Sequence, residues 1–430
     1  MNQRPRITGL PECAVAVTAL VAACGDPDAR GVIEPPPDTT TTAVPSGFKA
    51  CTGGMAGDFS CSGIDLMSRL TRAEMGNTEG NASDLWGWTD PETGIEWALV
   101  GHSQGTAFIS LQDPARPVYA GILPLTEGAH PSLWRDIKVY GNHAFIVADG
   151  AGQHGMQVLD LTQLRSVSSP PATFSPTTTY HRIHSAHNIA INTETGFAYS
   201  VGGSGGEDTC GGGLHMIDIR TPSNPEFAGC FADESTGNRR TGYTHDAICI
   251  VYRGPDTDHR DREICFGSNE TALSIADVTD KSNPAALASV SYPDIGYTHQ
   301  GWLDEAHEYL YVNDEFDEFN LGKTRTLVWD VKDLDDPIVA SEFEHNTAVS
   351  DHNLYVVGNL MYQSNYAAGL RILTISDREN PREIAFFDTE PGAADEPGFW
   401  GSWSNYPFFA SGVIPVTSMG GGVLFVKSTN

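Results

Sequence analysis

Little in this chain is basic. Lys and Arg together number 25 against 55 Asp and Glu, a formal charge of −30, so phosphate backbones and anionic bilayers are repelled over most of the surface. Nucleic acid is thereby excluded as a partner. The same acidity suits solubility, a saline habitat, or loops that hold a hard cation. Cysteines are few, 8 in 430 residues, and no CxxC is present, which removes the usual frame for thiol redox chemistry and zinc ribbons. Beyond the N-terminus no apolar run approaches the ~20 residues that span a bilayer. The Gly-rich "GGSGGEDTCGGG" (202–213) lacks the Lys-Ser/Thr of a phosphate loop and reads as a surface turn beside a cystine. "GHSQG" (101–105) has the spacing of a nucleophile elbow, but it joins two strand patterns rather than a strand to a helix, so Ser103 is set aside as a nucleophile.

Glycine and proline are plentiful, 45 and 26, which favours an all-β chain cut by many tight turns. The first residues, "MNQRPRITGLPECAVAVTALVAACG", pair two arginines with a short apolar run, the outline of an export signal over 1–23. Val21-Ala22-Ala23-Cys24 resembles the lipobox of bacterial lipoproteins and implies lipidation at Cys24, at the cell surface or in the periplasm; a soluble secreted product is the alternative. Residues 24–50, with "EPPPDTTTTAVPSG", read as a lipid-anchored Pro/Thr-rich tether. Membrane contact is then expected only through that anchor. Six further cysteines in an exported chain suggest disulfides, and neighbour pairing is expected: Cys51 with Cys61, Cys210 with Cys230, Cys249 with Cys265.

The domain over 51–430 repeats itself. "TAFISLQDPARPVYAGILP" (106–124), "LHMIDIRTPSNPEFAGCF" (214–231), "LSIADVTDKSNPAALASV" (273–290), "TLVWDVKDLDDPIVASEF" (326–343) and "LRILTISDRENPREIAFF" (370–387) each give a strand, an Asp/Ser/Asn/Pro turn and a strand. Two more strand patterns precede each. Anchored on Trp86, Trp134, His187, His245, His299, His352 and Trp403, the period is that of a propeller blade. Seven anchors predict seven four-stranded blades. The last lacks an outer strand, and "GIDLMSRLT" (63–71) has the alternation to supply it, so the N-terminal strand is expected to close the ring. Six blades with a C-terminal appendage is the alternative. The second unit ends irregularly (165–185), and the fourth carries an insertion (253–263).

With "SDLWGWTDPETGIEWALVGHSQGTAFISLQDPARPVYAG" (83–121), "HNIAINTETGFAYSVGG" (187–203), "YTHQGWLDEAHEYLYVNDEFDE" (297–318), "DHNLYVVGNLMYQSNYAAGLRILTIS" (351–376) and "FWGSWSNYPFFASGVIPV" (399–416), the chain resembles the choice-of-anchor B family, surface proteins built from LVIVD repeats. The resemblance spans roughly residues 60–430. It implies a surface β-propeller and brings no catalytic motif with it.

In such a ring the first strand of each blade lines the channel, so the anchors gather at one mouth together with the loops 147–155, 202–213, 267–271 and 312–320. Imidazoles with an adjacent amide or carboxylate are transition-metal ligands: His187, His245, Asp246, His299, Gln300 and His352 form the candidate metal set. The same His-polar pairs also suit blade corners that satisfy backbone groups. Asn313, Asp314, Glu315, Asp317 and Glu318 are candidate Ca²⁺ ligands, although no DxDxDG order is present. The sequence therefore supports a monomeric binding or scaffold module for a protein, glycan or small ligand. The rival is a metal-dependent lyase or hydrolase with the His ring at its centre, on the analogy of propeller lyases of pectate fragments.

Overall fold

Strands dominate because apolar residues alternate along short segments bounded by Gly, Pro, Asn and Asp. The computed structural model describes residues 47–77 and 80–429, all within the larger of two contact units, 33–430. The export segment 1–23, Cys24 and the tether up to residue 46 lie outside the described residues.

Seven sheets, each with four antiparallel strands at its heart and with further strands at the outer edges of blades 1 and 6, form the blades of a propeller. Their innermost strands, in order, are Ala82–Thr89, Arg135–Tyr140, Asn188–Asn192, Asp246–Val251, Thr298–Leu303, Leu354–Val357 and Ser402–Asn405. Each touches the next, and the seventh touches the first. Seven apolar clusters fill the interfaces, each drawn from two neighbouring blades. Period-two alternation explains how one strand serves two interfaces: in Glu96–His102 of blade 1, Trp97 and Leu99 pack toward blade 2 while Ala98 and Val100 pack toward blade 7. A strand covered on both faces must be apolar almost throughout, and every residue of this one is buried.

The turn between third and fourth strands is built by side chains. In blade 4 the Asp280 carboxylate accepts from the Ser282 amide and hydroxyl while the Asn283 amide returns to the Asp280 carbonyl, an Asx turn. Asp113 and Asp333 do the same for the amides two residues on. In five blades the third and fourth strands also share a bulge, at Phe108/Ile109, Met216/Ile217, Ile275/Ala276, Val328/Trp329 and Ile372/Leu373. Bulges raise local twist, which suits a sheet that must lean against its neighbour.

Blade 7 takes its outer strand from the N-terminal side, as the alternation at 63–71 predicts: Ile64–Leu70 pairs antiparallel with Gly422–Ser428. Just before it, the hairpin Met55–Ala56/Phe59–Ser62 extends the outer edge of blade 6, Cys61 opposite Phe387. The irregular stretch after blade 2 resolves into two roles. Ala172–Thr173 adds in parallel to the outer strand of blade 1, and Thr178–Tyr180 is the fourth strand of blade 2. All three neighbour disulfides form: Cys51–Cys61, Cys210–Cys230 and Cys249–Cys265. Each is worth about 2–4 kcal/mol in a typical domain.

Leu66 of the closing strand is 1% exposed and packs in the interface of blades 6 and 7. Leu66→Ala is expected to lower unfolding free energy by about 2–5 kcal/mol in urea titrations. A chain starting at residue 71 is expected to aggregate, because the Gly422–Ser428 edge would be left unpaired.

Candidate functional site

Superposing the blades by register places one residue of each at the channel mouth and the next residue one layer below. The mouth position is Ser83, Arg135, His187, His245, His299, His352 and Trp403; the layer below is Asp84, Asp136, Asn188, Asp246, Gln300, Asn353 and Ser404. The hydrogen bonds of this second layer confirm the alignment. Asp136 accepts from the Ile189 amide of blade 3 just as Gln300 accepts from the Leu354 amide of blade 6, and Asn188 donates to the His245 carbonyl. The sequence-based anchors are thus corrected in two blades. Trp86 lies three residues past the mouth position and Trp134 one residue before it, because tryptophan stood out where the real equivalents are a serine and an arginine.

The four histidines form a continuous stack. Ring centroids are 4.2 Å apart from His187 to His245, 4.2 Å from His245 to His299, 4.3 Å from His299 to His352, and 4.7 Å from His352 to Trp403. All four are at most 5% exposed. Gly202 allows this packing, with φ +61° and a position where a Cβ would stand 2.5 Å from the Cβ of His187. His245 and His352 donate through Nδ1 to the carbonyls of His299 and Trp403 in the next blade, so these histidines are blade corners. Donation through Nδ1 also fixes the tautomer and turns the Nε2 lone pair the other way. His187 Nδ1 lies 3.2 Å from Asp149.

That other way leads to Glu315. Its carboxylate stands 3.7 Å from His299 Nε2 and 3.9 Å from His352 Nε2, with ligand atoms of all three residues within 4.8 Å of one another. His299 is 1% exposed and neither of its ring nitrogens has a hydrogen-bond partner. Burial first, then the neighbouring imidazoles, hold His299 well below the usual histidine range. Burial does the same to His352. A neutral imidazole that turns its lone pair to a carboxylate, as His352 does with its Nδ1 proton on the Trp403 carbonyl, repels it unless a cation stands between them.

The acidic loop holds Glu315 there. Asp314 accepts from the amides of Gly296 and Tyr297 and from the Tyr292 hydroxyl, Asp317 pairs with Arg325 at 2.7 Å, and Glu318 accepts from the Asp351 amide. Asn313 donates to the His352 carbonyl. Four of the five residues read as a calcium loop are therefore engaged in bracing the turn, and only Glu315 reaches a ligand cluster. Of the candidate metal set, the structure brings His299 and His352 to one point, with His187 and His245 continuing the stack. Gln300 is taken up by the Leu354 backbone through both ends of its amide, and Asp246 lies a layer below.

In that lower layer Lys138 is surrounded by acids: Asp136 at 2.5 Å and Asp84 at 3.5 Å. Burial works against its charge, but Asp136 and Asp84 outweigh burial and push its pKa up. Burial raises Asp246 to about 6 and lifts Asp84 well above the carboxylate range. Lys138 Nζ also sits 4.6 Å from the Trp86 ring centroid, and Trp86, Trp302, Tyr355 and Phe408 meet beyond it as an aromatic plug. Trp86 and Trp302 thus fill the channel. Trp134, Trp400, Trp403 and Tyr366 pack together on the mouth face, and Ser103 sits in a tight β-turn. Sequence reasoning missed Arg135 and Lys138, although "RDIKVY" aligns with "HNIAIN" once the strands are placed.

The family model of the LVIVD repeat matches residues 134–169, which begin at the mouth end of blade 2. No curated protein matches the chain in sequence. Among solved structures, a protein from Lactobacillus plantarum is similar at 11% identity, covering 79% of this chain and 89% of that one with a TM-score of 0.52. A functionally unknown protein from Desulfotomaculum acetoxidans aligns at 14% identity over 71% of this chain and 84% of that one, with a TM-score of 0.47. The first likeness is one of fold alone.

Lys138→Met is expected to destabilise the ring by about 3–5 kcal/mol at pH 8, since it strands buried carboxylates. Groups with raised folded pKa values favour the fold below their unfolded pKa and lose that contribution as pH rises through the folded value. The deficit should therefore shrink between pH 8 and pH 5 in urea titrations. An equal loss at both would mean that packing, not charge, is what the lysine supplies.

Proposed function

We propose that this propeller is an exported binding module that takes its ligand at the histidine mouth, around a divalent transition metal held by His299, His352 and Glu315. The observation that carries the reading is the convergence of two imidazole nitrogens and one carboxylate in a buried site, with His299 otherwise unpartnered. Two histidines and a carboxylate are a donor set for zinc and other borderline first-row ions. Bond lengths near 2.05 Å put tetrahedral ligand atoms about 3.3 Å apart; here His299 Nε2 faces Glu315 Oε2 at 3.7 Å and His352 Nε2 faces Oε1 at 3.9 Å, with the three ligand atoms within 4.8 Å of one another, so the site closes by up to about 1.5 Å to grip an ion. Three protein ligands leave at least one position for a donor atom of a protein, glycan or small ligand. No feature of the site favours turnover over binding.

Export is supported by the three disulfides, which pair every cysteine among the described residues. No helix among those residues is long and apolar enough to cross a membrane. On this reading Cys24 carries the lipid anchor, and the chain is a member of the choice-of-anchor B family, for which the LVIVD match is the support.

The test is metal alone. Chelated protein titrated with Zn²⁺, or with Co²⁺ read by its visible spectrum, is expected to take up one equivalent. His299→Ala, His352→Ala and Glu315→Gln should each weaken uptake by more than the about 10–100-fold that loss of an outer-shell partner costs. Absence of stoichiometric uptake, or uptake unchanged in all three variants, overturns the metal centre.

A further inference from the structure

Three blades away from that cluster in either direction round the ring, the mouth position of blade 2 holds a buried cation without a counter-ion. Arg135 is 1% exposed. Two of its guanidinium nitrogens, Nε and Nη1, have no hydrogen-bond partner, and among the described residues no carboxylate lies within ion-pair distance of it. Only Nη2 is satisfied, donating to His154 Nε2 at 3.2 Å. His154 Nδ1 donates to the Gly155 carbonyl, so His154 is a neutral ring whose Nε2 accepts; it adds no negative charge.

Two unused donors lie on the neighbouring blade 1. His102 takes the Gln104 amide proton on Nδ1, which places the ring's own proton on Nε2, and that nitrogen is buried with no partner. Ser83 Oγ, the mouth residue of blade 1, is likewise buried and unpartnered. Gly101 brings them together: a Cβ there would stand 3.0 Å from Ser83 Oγ and 3.2 Å from Arg135 Cβ, so the missing side chain leaves the two blades free to approach. Burial lowers Arg135 to about 9 and His102 to about 4, leaving the first charged and the second a neutral donor at pH 7.

A buried guanidinium costs several kcal/mol unless something negative satisfies it, and in a chain of net charge −30 a carboxylate would have been an easy residue to supply. We infer that Arg135, His102 and Ser83 form an anion-binding site in the mouth, and that it takes a carboxylate group of the ligand. The site deepens the reading above, resting on it for the identity of the mouth as a ligand site but not for the presence of the metal. A ligand that fits both carries an anionic group toward blades 1 and 2 and a metal-binding donor toward blades 5 and 6.

The probe is acetate, added to chelated, metal-free protein at constant ionic strength while thermal unfolding is followed. A ligand that binds only the folded state raises its stability by mass action, so the melting temperature should climb saturably by several degrees. In Arg135→Gln the protein should melt at or above the wild-type temperature in acetate-free buffer, since an unpaired buried charge is gone, and its response to acetate should vanish. Ser83→Ala, a smaller change, should weaken the response several-fold and keeps the test informative if the arginine variant folds poorly. A wild-type response that is absent, or that persists undiminished in both variants, overturns the site. Failure of the metal centre would leave these results unchanged, and the His299→Ala/His352→Ala double variant should retain the acetate response.

Discussion

Every blade has to present its innermost strand to the same axis, and that is possible only if the row of sheets bends round and meets itself. An open row would leave an apolar interface bare at each end and a strand edge with unpaired amides. The pairing of Ile64–Leu70 with Gly422–Ser428 removes both problems. It joins residues more than 350 positions apart in the chain, so the closure carries a large loop entropy cost and depends on the seven interfaces already being formed. The mouth inherits its geometry from this closure: four imidazoles stack at near-equal spacing because four successive blades are rotated by near-equal steps.

Much of the architecture was legible because its causes are local. The Asp/Ser/Asn/Pro turns announce third and fourth strands, period-two alternation marks the rest, and the short final unit announces the borrowed strand. The pairing of cysteines followed from their proximity in one hairpin or one blade. What could not be read was register. A strand shifted by one residue exchanges its two faces, so choosing Trp86 and Trp134 over Ser83 and Arg135 concealed the cationic side of the mouth. Trp86 belongs instead to the channel plug.

The site residues divide along the same line. His299 and His352 were visible as part of a repeated motif, whereas the carboxylate between them stood in a loop whose acidic run suggests calcium. Only the three-dimensional bracing of Asp314, Asp317 and Glu318 shows why one member of that run turns inward. Below the mouth, Lys138 holds together acids from blades 1 and 2, in a layer where blades 3, 5 and 6 carry amides. The lysine and its acids depart from the repeat together, and so neither the charge nor its partners emerge from a search for what the blades share.

The bulged outer strand pair recurs in five blades, whereas the mouth residue is histidine in four blades and serine, arginine or tryptophan in the other three. Shape and chemistry are therefore written in different parts of the repeat: the outer half keeps each sheet twisted to fit its neighbours, and the inner half is free to vary. Read around the ring, the mouth is a cyclic word of seven letters, Ser-Arg-His-His-His-His-Trp. Because each letter stands on its own sheet, a substitution in one blade rewrites one letter without disturbing the alphabet's spacing, and related rings could spell different specificities on an unchanged frame.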